Sequence, residues 1–277
     1  MGMNFFAYDF IKNALLAGFL SSLMCGLMGT FVVTKRLVFI SGGISHAAFG
    51  GLGLFFLLGL NPIPGAYLVA IIISLILGSY KPSKINAQDA YIGILWSVGM
   101  AAGIVFIHLS PQSYAPNLMS YLFGDILMVS SKALVGMSVL TVGMLALIFG
   151  FFKYFLSIVF DEEFSQLQNI PVRKVRMLLF VMIGLTVVTL IQLVGIILVI
   201  ALLTIPPMLS MLFFNDFKKV LFFSGLFSIL ITQSGIILSF YLNLPTGPVI
   251  ILLGAFLLVV SYLIKGFGRQ KFELKKQ

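Results

Sequence analysis

His46 stands in the run Ser41-Gly42-Gly43-Ile44-Ser45-His46-Ala47-Ala48-Phe49-Gly50-Gly51-Leu52-Gly53, a stretch of small and apolar residues with no other ionisable side chain. A neutral imidazole can ligate a transition-metal ion, relay a proton, or simply hydrogen-bond a neighbouring carbonyl. A second group with chemistry to offer is Phe160-Asp161-Glu162-Glu163-Phe164, which holds three of the chain's eight carboxylates. Read as one helix, Phe160, Phe164 and Leu167 fall at i, i+4 and i+7 on one face, while the acids, Gln166 and Asn169 take most of the remaining surface. Asp161 is placed to cap the first turn, and the acids suit the positive end of the helix dipole. Pro171 then stops the segment before Arg173, Lys174 and Arg176. A helix lying on lipid is the plain alternative, but such helices carry Lys and Arg on the polar face because the cytoplasmic leaflet is negative. An acidic face suits another protein. Glu162 and Glu163 are both expected at that surface, where reversing their charge leaves folding intact.

Other chemistries are excluded. The chain has no glycine-rich phosphate loop, no H-E-x-x-H pattern, and no Ser/His/Asp or paired-carboxylate set within its apolar runs, so the reading is that it is not an enzyme. Its single cysteine, Cys25, rules out an internal disulfide and a Cys-based metal cluster and is read as a packing residue. His108 closes an apolar run at its outer end, where a surface role is the simpler one. Acids within the apolar runs are nearly absent, which weighs against an ion-coupled secondary carrier.

The elements that must position these residues are membrane spans. With 277 residues, 60% of them hydrophobic and 9% charged, and a mean hydropathy of +1.15, the chain cannot hide its apolar surface in one water-soluble core. Crossing a bilayer takes about 20 apolar helical residues. Such runs lie near 13–34, 37–60, 62–80, 90–108, 128–152, 175–193, 195–214, 220–242 and 247–264, giving nine spans, or eight if the sixth and seventh, parted only around Gln192 and Gly195, are one. The expected fold is therefore all-α, a polytopic bundle of about eight to nine transmembrane helices forming one domain over 1–277. Its polar appendages are the segment 160–170 and a basic tail at 265–277.

Charge orients it. Nine crossings from an outside N-terminus put fifteen of the seventeen basic residues on one side; with six acids there, that side carries the whole net +9, and Lys12 and Lys132 offset Asp9 and Asp125 on the other. The basic balance thus reports topology, with a cytoplasmic C-terminus, and does not point to nucleic acid. No cleavable leader is legible before the first run, which is read as a retained span. Pro206 and Pro207 are expected to kink or break the seventh span. Leu244-Pro245-Thr246-Gly247-Pro248 reads as a tight outer turn, and 111–125 as a short interfacial or re-entrant helix. The glycine-rich second span is too small and too polar to face lipid and is expected inside the bundle, with His46 on a pathway.

Six motifs in order carry a resemblance: Ser45-His46-Ala47; Gly93-Ile94-Leu95-Trp96 with Gly99-Met100; Pro116-Asn117-Leu118-Met119-Ser120-Tyr121-Leu122-Phe123-Gly124; Phe160-Asp161-Glu162-Glu163-Phe164; Gly195 through Pro206; and Pro245-Thr246-Gly247-Pro248. Over residues 10–264 the chain resembles the permease subunit of bacterial ABC importers for zinc and manganese. The resemblance implies a multi-pass protein of the bacterial inner membrane that pairs with a second permease chain, its own copy, as a homodimer. It implies two ATP-binding subunits docked on the segment matching 160–170, an extracellular metal-binding protein, and zinc or manganese as cargo with no permanently bound cofactor; ATP belongs to the partner. It also places the family's pathway histidine on His46 and a coupling role on Phe160, Asp161, Glu162, Glu163, Phe164 and Leu167. Two positions depart from the pattern. Gly42 stands where many members carry an aspartate one turn before the histidine, which leaves open an importer of chelated or organic cargo. Asn169 replaces a common glycine, a mild change because both tolerate left-handed backbone.

Overall fold

The structure is a computed structural model that describes residues 9–79, 87–111, 124, 126 and 129–273. The elements are α1 (Asp9–Thr34), α2 (Val38–Leu57), α3 (Pro62–Ser79), α4 (Ala87–His108), α5 (Ser131–Gly150), α6 (Phe152–Phe160), α7 (Glu162–Leu167), α8 (Val172–Phe213), α9 (Phe217–Leu242) and α10 (Thr246–Glu273). Among the described residues there is no strand, as lipid demands of a chain that must satisfy its own backbone. The re-entrant helix expected at 111–125 falls almost wholly outside the described residues.

The bundle has a centre and a rim. In α1, α2 and the first part of α8, 72% of the most apolar window is buried, against 17–28% in α3, α4, α5 and α10, whose outer faces are the ones left for lipid. α2 lies between α3 and α4 and touches α8, while α1 is packed between α8 and α9 and carries α5 on its flank. Glycine makes this possible. A Cβ added to Gly50 would lie 3.1 Å from the Gly99 carbonyl of α4, and one added to Gly53 would strike Gly103 of the same helix. On the other flank, Gly51 meets the backbone of Gly65 in α3. Residues 40–49 are buried without interruption, so the second span is internal as its composition requires.

Among the described residues eight helices are long and apolar enough to cross a membrane, and a shorter apolar helix, Leu198–Phe213, accompanies them. That short helix is the second half of α8, which is not straight: Gly195 has φ 75° and ψ 168°, a conformation essentially restricted to glycine. A straight helix would hold Arg176 and Pro207 about 46 Å apart at 1.5 Å per residue. Both instead lie at one end of α1. Arg176 joins Lys35 through Glu162, and a Cβ on Gly29 would approach the Pro207 ring to 3.0 Å. At the same end Ser210 Oγ donates to the Val220 carbonyl, Lys265 donates to the Leu212 carbonyl, and Phe217, opening α9, packs edge-on against Phe31. The chain therefore doubles back at Gly195, and α8 makes two passes. The counts of eight and nine are reconciled by one glycine.

The kink or break expected at Pro206 and Pro207 is corrected: both lie within helix, and the non-helical residue in α8 is Gly195, where the sixth and seventh spans were expected to part. The prolines act differently. Pro207 has no N–H for the carbonyl one turn back, that of Leu203, and this oxygen lies against Gly29 of α1, where any Cβ would collide with it. The freed carbonyl is packed against a neighbouring helix.

The odd number of passes puts the exposed residues Asn61 and Asn243 at the end opposite Lys35 and Lys265, and Gln168 beside them. With Cys25 replaced by serine, Asn61→Cys and Asn243→Cys are expected to react with an impermeant maleimide in intact cells and Gln168→Cys only after lysis. Labelling of Gln168→Cys from outside would invert this topology.

Candidate functional site

The chemistry-bearing residues gather at two places, one inside the bundle and one at its basic end. The inner place is built on α2 because its glycines let α4 come close enough to lay a large ring over the helix. The ring is the indole of Trp96, the chain's only tryptophan, which stacks on His46 with centroids 4.1 Å apart and planes 20° from parallel. His46 is 8% exposed, and its Nδ1 is buried with no hydrogen-bond partner. The simple structural role, an imidazole satisfied by a carbonyl through that nitrogen, is therefore not what the geometry displays. The imidazole thus has a ring nitrogen not engaged by any neighbouring side chain or carbonyl, and a neutral imidazole nitrogen is a common metal ligand.

One turn earlier, a Cβ on Gly42 would come within 2.9 Å of Trp96 Cζ3 and 3.4 Å of Ile200 Cδ1. The indole thus fills the space that a side chain at 42 would need. Among the described residues no group of three or more His, Cys, Asp or Glu is placed to hold a metal ion, so the inner place offers one imidazole and an aromatic wall. His108 ends α4, exposed at the far end of the bundle, and Cys25 is a buried free thiol in the core.

The outer place is α7. Asp161 breaks the helical run with φ −151° and ψ 107°, and its side chain accepts a hydrogen bond from the Phe164 amide at 2.9 Å. The cap is as the sequence suggested, but its consequence corrects the single-helix reading: α6 stops at Phe160 and α7 starts at Glu162, so Phe160, Phe164 and Leu167 do not share one helix. Extended Asp161 re-aims the chain between them. Ser165 Oγ donates to the Asp161 carbonyl and shares a 2.6 Å hydrogen bond with Ser157, tying the two helices across the corner. Asn169, at φ 58°, closes α7 in the left-handed conformation that its glycine-like tolerance allows.

The three acids divide by role. Asp161 caps. Glu163 is exposed. Glu162 turns inward, its Oε1 accepting from Lys35 Nζ at 2.8 Å and its Oε2 from Arg176 Nη1 at 2.7 Å. Charge reversal at Glu162 would therefore set three cations together, and the expectation of a harmless surface position fails there. On the outward side Phe164 is 53% and Leu167 81% exposed, an apolar pair flanked by Glu163. Phe160 is also largely exposed, although it rests edge-on against Phe217 at 5.8 Å. Sequence reasoning missed Lys35, Arg176 and Trp96 as members of these places. Arg176 carried a usable signal, as the last charge of its basic run and the one that enters an apolar span, where it must find a partner.

Comparison with known proteins agrees over nearly the whole chain. The sequence profile of the ABC 3 transport family matches residues 7–265. An uncharacterised membrane protein of Synechocystis sp. is 38% identical over 93% of this chain and 90% of its own length. A Buchnera aphidicola protein named high-affinity zinc uptake system membrane protein ZnuB is 30% identical over 94% of this chain and 99% of its own. One from Halalkalibacterium halodurans named manganese transport system membrane protein MntC is 28% identical over 92% and 87%. Among solved structures, a chain of PsaBC from Streptococcus pneumoniae in complex with Fab superposes with a TM-score of 0.83 at 30% identity, covering 93% of this chain and 92% of that one.

Removing the cap by Asp161→Ala is expected to weaken α7 by about 1 kcal/mol, read as roughly fivefold faster amide exchange across 162–167. Asp161→Ser should hold exchange near the wild-type rate. Equal exchange in all three would show that the corner is held without the cap.

Proposed function

The chain belongs to the ABC 3 transport family, and from that premise we propose that it is the membrane permease subunit of an ATP-driven importer of a divalent transition metal, zinc or manganese. It lies in the bacterial inner membrane with its C-terminus in the cytoplasm, and two ATP-hydrolysing subunits, a second copy of the permease and an extracellular metal-binding protein complete the machine. The carrying observation is α7: a short capped helix at the basic end, fastened to the bundle on one side and presenting Phe164, Leu167 and Glu163 on the other. Exposed apolar residues at headgroup level would suit lipid, but a carboxylate beside them does not. They suit an ATPase groove. Relatives named for zinc uptake and manganese transport support the choice of cargo, and family membership removes the motive for an ion-coupled carrier.

The residues divide the work accordingly. Phe164 and Leu167 supply apolar anchors to the ATPase and Glu163 supplies charge register. His46 offers Nδ1 to a passing ion, with Trp96 walling one side. The position of Trp96 against Gly42 also favours a second reading, in which the cargo is a chelated metal that brings its own ligands and needs only a shaped, aromatic-walled passage.

Two measurements test this. In a strain lacking other importers, the wild-type chain with its partner subunits is expected to restore uptake of free zinc or manganese. Uptake only of chelated metal would move the function to the second reading, and uptake of neither would reject both. Phe164→Ala with Leu167→Ala, and separately Glu163→Lys, should release the ATPase from the purified complex while leaving the permease folded; retention of the ATPase by both variants would remove α7 as the docking site. His46→Ala is expected to lower uptake at least about tenfold, equivalent to about 1.4 kcal/mol, with unchanged protein level; wild-type uptake in that variant would take the imidazole off the pathway.

A further inference from the structure

The acid next to the docking face does not dock. Glu162 holds Lys35 at the end of α1 with one oxygen and Arg176 at the start of α8 with the other, and the Arg176 Nε donates to the Gly78 carbonyl, at the end of α3, at 2.8 Å. One carboxylate and one guanidinium therefore clasp α7 to three helix ends. Arg176 is 8% exposed, and Glu162 is only partly accessible, so little of either is left for a partner protein. We propose that Glu162 is the strut that transmits movement of α7 into the transmembrane helices: a positioning residue for coupled transport, distinct from the docking contacts of Glu163, Phe164 and Leu167. The proposal rests on the importer reading given above.

The contacts beyond the strut lead toward His46. Met177, the residue after Arg176, lies so close to Gly78 that a Cβ there would come within 2.8 Å of its Cα, so α3 and α8 cannot slide independently at this end. α3 in turn abuts α2 through Gly65 and Gly51, five residues beyond the histidine. α1 bears on the returning half of α8 where Gly29 faces Leu203, and that half touches Gly42 through Ile200. Displacing Glu162 thus loads both walls of the helix that carries the imidazole. The Asp161 cap holds the first turn of α7, and the packing of Phe160 on Phe217 anchors the end of α6 just before it, both independently of these ion pairs, so the strut can be cut while the docking helix stays formed.

The experiment compares wild type, Glu162→Gln and Lys35→Met in the full complex with the ATP-hydrolysing subunit that co-purifies with the wild-type chain, reconstituted in vesicles. It reads ATPase retention, ATP hydrolysis, zinc or manganese delivered per ATP, and the thermal midpoint. Glu162→Gln is expected to keep the ATPase bound and hydrolysing while ions delivered per ATP fall about fivefold or more, the ordinary range of coupling between sites. An unchanged ratio overturns the strut. Loss of the ATPase from a variant of wild-type thermal midpoint also overturns it, because Glu162 would then be a docking contact. Should Glu162→Gln fail to fold, Lys35→Met, which leaves the Arg176 pair intact, is judged by the same ratio. A wild-type complex that binds no ATPase or moves neither metal would instead defeat the importer reading, and the strut with it.

Discussion

Close contact between backbones governs this molecule. In lipid no hydrophobic force draws one helix to another, so association depends on van der Waals fit and on polar groups that find partners. α2 achieves that fit by presenting glycine to glycine: Gly51 to Gly65 on one flank, Gly53 to Gly103 and Gly50 to Gly99 on the other. α1 does the same with Gly26 against Gly225 of α9, reinforced by the Ser224 hydroxyl donating to the Gly26 carbonyl at 2.7 Å. The position of His46 follows from this. With α4 held at backbone distance, Trp96 has no room to stand away from α2 and lies flat on the imidazole.

The second constraint is the reversal at Gly195. It places a returning half-helix beside α1 and α2, where Ile200 reaches Gly42 and the Leu203 carbonyl reaches Gly29. Pro207 matters because of what it withholds: without its N–H the Leu203 carbonyl has no partner in its own helix and is turned to α1. Broken helices of this kind commonly line the route through a transporter. Here the break brings a short helix to the wall of the histidine-bearing helix, where Ile200 lies against Gly42.

What the sequence disclosed depends on how local the controlling physics was. Apolar runs of sufficient length located the spans to within a few residues, because the bilayer sets that length. The burial of α2 was readable from its small residues, and the Asp161 cap from a side chain acting on an amide three residues away. The parting of the sixth and seventh spans around Gln192 and Gly195 was legible as a gap in the apolar run, whereas Pro206 and Pro207, a loud local signal for a break, lie within helix; only contacts at both ends of α8 reveal that a glycine in a rare conformation turns the chain back. The partition of Asp161, Glu162 and Glu163 into cap, inward strut and outward charge was hidden for the same reason. Its cause lies in Lys35 and Arg176, 127 and 14 residues away from Glu162 along the chain.

The inner place is spare in ligands, and that has a physical sense on the proposed reading. A carrier must bind its ion well enough to accept it and weakly enough to release it within one cycle. A cluster of carboxylate, thiolate and imidazole would retain a transition metal tightly, whereas one imidazole against an indole face offers a single directed nitrogen and a shaped wall. The energy for directionality then has to come from movement of the helices, and on that reading the means for such movement are concentrated at the basic end of the bundle. One carboxylate there joins α7 to α1 and, through Arg176, to α8 and α3, while glycine contacts relay the same three helices to the walls of α2. Selectivity resting on few ligands and transport resting on rigid packing are two sides of one arrangement, since a wall that yields under load can discharge an ion that only one nitrogen holds.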